Sequence, residues 1–442
     1  MIKLRDYQEE AIETIRETFK EWDRQYVCMP TGSGKTITFL SYAKQFHKKI
    51  LVIVPSCQLL DQVYETALKF YEKKQISRRG NTYLEKITDF HICTIQSSRG
   101  EYLKSVASYG FDLVVIDEAH HSQSESYIRL IKIIAPHYSK ETCLLGVTAT
   151  PDRADGQLLD QILGKRSFSL DVMTMIQNKQ LSEIEGFSVK TKIDLSDIET
   201  RNGEFSLNQL FNKLCTKSRN DMIIDLYKNE MKDRKTIIFC INIKHSKIIN
   251  QLLNEQGFSS CHIDGTMSND QKTSILSGFR NGEFSILCNC QILTEGFDEP
   301  SIDGIILARP TRSRSLFIQM VGRGLRLFPG KENCKIIDIV DNHKNLSGFT
   351  SLVTDERIPD LESFKSSKDI QSHVSNEIMR ITEFSIERTD LFGQSRIDGE
   401  SPSDETYQYL KENKITYFDP ISFDEANFLV WMNELKKEYN NG

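Results

Sequence analysis

The sequence predicts an α/β protein. It should hold two tandem domains, each a parallel sheet covered by helices on both faces, plus a small, mostly helical C-terminal extension. Three observations lead there. Short runs that are apolar at every position, such as Ile50–Val54 and Leu113–Ile116, alternate with stretches of helical period. A strand apolar on both faces is buried on both faces, the mark of a parallel sheet. The rhythm occurs twice within 442 residues, a length that suits two or three domains better than one core. The composition then shifts near residue 346 to a stretch rich in Ser, Asp and Glu.

The elements follow in order. Leu4, Tyr7, Ala11, Ile15, Phe19 and Trp22 recur every three or four residues and predict an amphipathic helix, with Asp6 and Glu9 at capping-box spacing and Asp6 as the cap. A helix beginning this early leaves no room for a signal or transit peptide, so the expectation is that either none is used or it was removed before the first numbered residue. Tyr26–Met29 predicts a strand, followed by a Gly-rich turn and a helical run from Thr36. Strands are then expected at Ile50–Val54, His91–Ile95, Asp112–Asp117 and Cys143–Thr148. The stretch from about 155 to 215 has no clear period and holds the boundary, giving domains 1–165 and 166–345. The second domain repeats the rhythm at Thr236–Cys240, Ser260–Ile263, Ser285–Asn289, Gly304–Leu307 and Lys335–Ile339. The extension, 346–442, keeps eight spaced Phe and Trp residues, too many for a disordered tail, and 423–439 reads as an amphipathic helix.

Charge is unevenly spread. The net charge is −6, but residues 351–442 carry −9 and the rest +3, a mildly basic body with an acidic tail that offers a candidate surface for a protein partner. No apolar run approaches the ~18–20 residues of a membrane-spanning helix, so no membrane role is expected. The ten cysteines are scattered with no CxxC, a pattern of buried thiols in an intracellular, reducing compartment rather than of disulfides or zinc.

The chemistry starts at Thr31-Gly32-Ser33-Gly34-Lys35-Thr36, between a strand and a helix. Glycines let backbone N–H groups turn toward an anion, and the helix N-terminus adds its positive end. Lys35 supplies charge to the β- and γ-phosphates of ATP, and the Thr36 hydroxyl is suited to Mg²⁺. A full Walker pattern would have glycine where this chain has Met29. Asp117-Glu118-Ala119-His120 follows a later strand, at the edge where open α/β sheets bind ligands. Asp117 is placed to hold Mg²⁺, and Glu118 to orient and deprotonate the attacking water. In the second domain Gln319-Met320-Val321-Gly322-Arg323-Gly324-Leu325-Arg326 sets two arginines three apart on an expected helix face. Such charge delivered to a γ-phosphate is what a P-loop motor needs, so ATP is expected between the domains.

With these residues assembled, the chain resembles the superfamily 2 helicases and translocases of DEAH type, over residues 4–341. Leu4-Arg5-Asp6-Tyr7-Gln8 is similar to the adenine-reading entry motif, Pro30–Thr36 to motif I, Pro55 with Leu59 and Gln62 to motif Ia, and Thr94-Ile95-Gln96-Ser97 to a strand-contacting motif. Asp117–His120 resembles motif II, Thr148-Ala149-Thr150-Pro151 motif III, Ile237–Cys240 motif IV and His262–Met267 motif IVa. Thr294-Glu295-Gly296-Phe297-Asp298 resembles motif V and Gln319–Arg326 motif VI. The DEAHH and TATPDRADG runs, with Ala308-Arg309-Pro310-Thr311-Arg312-Ser313, are closest to XPB-type, branch-migrating phage and yeast mitochondrial DNA helicases and to restriction-enzyme motors.

The resemblance implies two RecA-like P-loop domains, ATP hydrolysis with Mg²⁺, and DNA rather than RNA as the track. It implies that Arg5 and Gln8 contact adenine, and that Thr31, Gly32, Ser33 and Gly34 cradle phosphate beside Lys35 and Thr36. Gln319, Arg323 and Arg326 complete the catalytic set. Thr148 and Thr150 link ATP state to nucleic-acid grip, Gly296 and Asp298 couple through motif V, and Thr94, Gln96, Gly265 and Thr266 touch the nucleic-acid backbone. Three rival readings remain: an RNA helicase of the same fold, the motor subunit of a restriction complex, and a nucleotide-gated switch that remodels a protein without translocating.

Overall fold

The computed structural model describes residues 3–352, apart from Thr82, 137–141, 150–158, Asn202, Glu295, 344–345 and 349–351. The helix expected at 423–439, nearly all of the acidic extension, and Thr150 lie outside the described residues. The chain divides into two compact units, Met1–Asp171 and Val172–Gly442.

In the first unit the strands are β1 (Arg24–Cys28), β2 (Ile50–Val54), β3 (Ile76–Arg79), β4 (Phe90–Thr94), β5 (Leu113–Asp117), β6 (Cys143–Thr148) and β7 (Lys165–Ser169). They form one parallel sheet in the order β3-β4-β2-β5-β6-β1-β7. Its helices are α1 (Asp6–Thr18), α2 (Lys35–Phe46), α3 (Cys57–Ala67), α4 (Gly100–Ser108), α5 (Glu125–Ile134) and the single turn α6 (Asp160–Leu163). Side chains alternate across a strand, so each strand feeds two cores. Val27, Val52, Val54, Val115 and Val147 pack with Ala11, Leu40 and Leu60 on one face. Tyr26, Ile53, Val114, Ile116 and Leu144 pack with Val106 and Leu130 on the other. Each such side chain contributes about 1.5–3 kcal/mol on burial.

Two expectations about the first helix are corrected here. The helix cap is Arg5 rather than Asp6, because the Gln8 side chain closes the first turn by accepting from the Arg5 N–H at 3.0 Å. The helix ends at Thr18, and Trp22, expected on its apolar face, is 48% exposed. The edge strands β3 and β7 had no legible apolar signature, since Ile76-Ser77-Arg78-Arg79 and Lys165-Arg166-Ser167-Phe168-Ser169 are mostly polar. β7 pairs beside β1, so the first unit runs to Asp171, past the expected boundary at 165.

The second unit begins with α7 (Val172–Gln177) and β8 (Glu183–Asp194), followed by the two-residue strands β9 (Thr200–Arg201) and β10 (Glu204–Phe205), which pair antiparallel. Then come α8 (Leu207–Leu214), α9 (Lys217–Leu226), β11 (Thr236–Phe239), α10 (Ile243–Glu255), β12 (Ser260–His262), α11 (Asn269–Asn281), β13 (Ile286–Asn289), β14 (Gly304–Leu307), α12 (Arg314–Gly322) and β15 (Asn333–Asn342). The sheet is parallel, in the order β12-β13-β11-β14-β15-β8. The twelve-residue β8, unread in the sequence, is its edge strand beside β15. Residues 195–214 build a small satellite core in which Leu195, Ile198, Phe205, Leu210 and Leu214 pack against Ile241, just past the end of β11.

Candidate functional site

Sheet order assembles the first unit's site. β6 lies between β5 and β1, so the carboxyl ends of three strands remote in sequence stand side by side. The Gly-rich turn leaves β1, the acid pair leaves β5, and Thr148 ends β6 with its carbonyl accepting from the Met29 N–H at 2.8 Å. This is the edge where parallel sheets bind ligands.

Within the turn, Gly32 (φ +89°) and Gly34 (φ +82°) are left-handed, a conformation that favours glycine. Gly34 caps α2, so Lys35 and Thr36 occupy its first turn. A Cβ on Gly34 would also sit 2.5 Å from Gln8 Nε2. That amide donates to the Ser33 carbonyl at 3.0 Å, and the Tyr7 hydroxyl donates to the same oxygen at 2.8 Å. Arg5 Nη1 in turn donates to the Tyr7 hydroxyl at 2.9 Å. The entry motif thus braces the phosphate turn. Gln8, assigned by resemblance to adenine, directs its side chain to the Arg5 N–H and to Ser33, and is nearly buried. Sequence reading missed the part of Tyr7, whose spacing marked it only as apolar.

The Lys35 ammonium lies 3.9 Å from Glu118 Oε1. Glu118 has φ +49°, a strained setting for a residue with a side chain and one that clusters at functional sites. Its N–H is held by Asp117 Oδ1 at 3.0 Å. His120 Nδ1 is 3.1 Å from Thr148 Oγ1 and 3.5 Å from Glu118 Oε2. It therefore links the acid pair to motif III, a role that its place in the DEAH run did not by itself reveal. Thr31 Oγ1, Ser33 Oγ and Glu118 Oε2 are buried with no hydrogen-bond partner among the described residues. Two such hydroxyls beside a lysine, with a carboxylate oxygen that faces His120 but accepts no hydrogen bond among the described residues, suit a phosphate chain and a water molecule.

Thr94 and Gln96 part company. Thr94 is 1% exposed as the last residue of β4, with its hydroxyl 2.8 Å from Ser97 Oγ, so it does not present that group at the surface. Gln96 is exposed and donates to the Pro55 carbonyl at 2.8 Å, tying motif Ia to the next turn.

In the second unit, motif VI departs from the expected helix face. α12 ends at Gly322 and Arg323 is its cap, so Arg326 lies past the helix. Gly324 packs tightly there, since a Cβ on it would run into Cys334 and Ile305. Both guanidiniums converge on motif V: Arg323 Nη1 and Arg326 Nη1 donate to the Phe297 carbonyl at 2.8 and 3.0 Å, and Arg326 pairs with Asp298 at 3.0 Å. Gln319 and Arg323 are nearly buried, and Gly296 takes φ +69°. Lys331, which the motifs did not single out, donates from a half-buried ammonium to the carbonyls of Ile302, Gly324 and Arg326. Gly265 and Thr266 form an exposed turn. Thr266 N and Oγ1 both donate to Asp264 Oδ1, at 2.7 and 2.5 Å. Burial would raise the Asp264 carboxyl, but hydrogen bonds from Thr266 and His262 outweigh it and hold it at about 2.

A phosphate turn opening a helix, with an acid pair at the end of a nearby parallel strand, defines a P-loop nucleotide-binding protein. The comparisons narrow the class. Residues 1–153 match the family described as the res subunit of type III restriction enzymes, and residues 218–328 the helicase conserved C-terminal domain. The chain is 32% identical over 359 residues to a Saccharomyces cerevisiae protein named as the ATP-dependent helicase IRC3, covering 76% of this chain and 51% of that protein. It is 26% identical to a Sulfurisphaera tokodaii protein named DNA 3'-5' translocase XPB2, covering 74% of this chain and 79% of the other. A solved structure of the ATP-dependent Type ISP restriction-modification enzyme LlaBIII bound to DNA shares the fold at TM-score 0.61 and 20% identity, over 99% of this chain and 33% of that one. The chain belongs to the superfamily 2 helicases. It spans about half the length of the yeast relative.

Proposed function

We propose that this chain is an ATP-driven motor that moves on or remodels DNA, hydrolysing ATP at the phosphate turn of the first unit. The observation that carries this reading is the pairing of Lys35 with Glu118 at 3.9 Å beside the buried hydroxyls of Thr31 and Ser33, which have no hydrogen-bond partner among the described residues. The backbone of Gly32–Thr36 and the Lys35 ammonium bind and orient the β- and γ-phosphates. Glu118 takes the proton of the attacking water, with His120 fixing its carboxylate against Thr148. Thr36 and Asp117 are the oxygen donors that would hold Mg²⁺, which would neutralise charge on the phosphate oxygens. Arg323 and Arg326 stabilise the transition-state charge, and the Phe297 carbonyl that both contact joins them to motif V.

DNA as the track is supported by the DEAHH and TATPDRADG runs and by the archaeal relative, which is named a DNA 3'-5' translocase. Phosphate contacts carry no sequence information, so binding should be independent of base sequence and weaken with salt. The test is ATPase rate measured side by side with single-stranded, duplex, forked and four-way DNA and with RNA. Lys35→Ala should abolish turnover; Glu118→Gln should retain ATP binding and lose hydrolysis. Stimulation by RNA and by no form of DNA would sink the DNA reading. Normal turnover by Glu118→Gln would remove Glu118 as the base.

A further inference from the structure

The β9–β10 hairpin belongs to none of the helicase motifs, yet Glu204, the first residue of β10, reaches the Ala308–Ser313 run that leads into the motif VI helix. Glu204 Oε1 accepts from the Thr311 hydroxyl at 2.9 Å and from the Arg312 N–H at 2.7 Å. Its other oxygen faces the Arg309 guanidinium at 3.5 Å, and Arg309 is only 2% exposed. Phe205, the next residue, lies edge-on to His343 and under the Arg312 guanidinium. One carboxylate therefore holds three of the four positions 309–312 in the loop that leaves β14, all but Pro310.

The contacts continue beyond the loop. Thr311 Oγ1, while donating to Glu204, accepts from the Ser313 N–H at 3.1 Å. Ser313 Oγ caps α12 by accepting from the Leu316 N–H at 3.2 Å. A chain of hydrogen bonds thus runs from Glu204 through Thr311 and Ser313 into the first turn of the helix that carries Gln319 and is capped by Arg323. The nine residues of α12 form one rigid lever, so a shift at its cap is passed to its far end. A bulky anchor is in place as well, since the hairpin is rooted in the satellite core through Phe205.

We propose that Glu204 is a positioning residue for hydrolysis: it fixes the entry of α12 and through it the placement of Arg323. This rests on the proposed role of Arg323 in stabilising the transition state. A residue that only orients such a group changes kcat and leaves nucleotide binding alone. Misplacing a catalytic group by about 1 Å from a distance can cost on the order of 10²-fold.

The test is DNA-stimulated ATPase of the full chain with Glu204→Ala, Glu204→Gln, Thr311→Val and Arg323→Ala, singly and with Arg323→Ala combined with each of the others. Glu204→Ala should lower kcat by about 10²-fold, with KM for ATP within about twofold of wild type. Glu204→Gln keeps an acceptor for Thr311 and Arg312 and should recover most of the rate. Thr311→Val breaks the second link and should resemble Glu204→Ala, which keeps the test alive should that variant fail to fold. In the Arg323→Ala background none of these changes should slow turnover further, a result that general destabilisation would not produce. The proposal is overturned if Glu204→Ala and Thr311→Val keep the wild-type kcat, or if they slow the Arg323→Ala enzyme by the same factor as the wild type. If Arg323→Ala itself has no effect, the motif VI reading fails, and this inference with it.

Discussion

Replacing Gly34 by alanine adds one methyl group, and the structure says what it meets. At φ +82° an L side chain costs about 1–2 kcal/mol. The new Cβ would lie 2.5 Å from Gln8 Nε2, so the Gln8 side chain must leave. With it go the bonds to the Ser33 carbonyl and from the Arg5 N–H, each worth about 1 kcal/mol. The whole effect is about 3–4 kcal/mol, of which about 2 belongs to Gln8. A double-mutant cycle separates the parts. Gln8→Ala alone should cost about 2 kcal/mol, and Gly34→Ala in that background only the backbone term. The two changes together should therefore be about 2 kcal/mol less damaging than their sum. Trp22 reports on unfolding of the first unit once Trp431, the other tryptophan, is replaced by Phe. Denaturant melts of the four proteins give the coupling, and titration with a fluorescent ATP analogue should show the same order of losses. Additivity within about 0.5 kcal/mol would refute the bracing of the phosphate turn by Gln8.

Two further outcomes are expected. Burial and the neighbouring Asp341 push the Asp338 carboxyl up to about 8 despite Arg219. The native state then keeps a proton that the unfolded chain releases near pH 4, so stability falls by about 1.4 kcal/mol per pH unit between about pH 4 and 8. Asp338→Asn should remove that slope in melts of the second unit run from pH 5 to 8; an unchanged slope would contradict it. Thr148→Val keeps the shape of a fully buried side chain but takes the Oγ1 partner from His120, and should cost the first unit about 1 kcal/mol. It should also lower the ratio of DNA-stimulated to unstimulated ATP turnover; an unaltered ratio would show that this contact does not link the acid pair to the DNA-responsive step.

What the chain announces locally, its sequence determined. β2 and β14 are apolar at every position and β5 at all but its last, and the phosphate turn and acid pair have chemical reasons that need no neighbour in space. These features follow from periodicity and from the residue types a phosphate requires, both written within a few positions. The edge strands β3, β7 and β8 were not legible, because an edge strand needs little hydrophobicity once a neighbour offers its hydrogen bonds. The bracing of Ser33 by Tyr7 and Gln8, the link from His120 to Thr148, the meeting of Arg323 and Arg326 at the Phe297 carbonyl, and the reach of Glu204 to Thr311 were decided by tertiary structure alone. Each joins residues 25 to 107 positions apart. Strand order, rather than any local pattern, sets which of those side chains become neighbours.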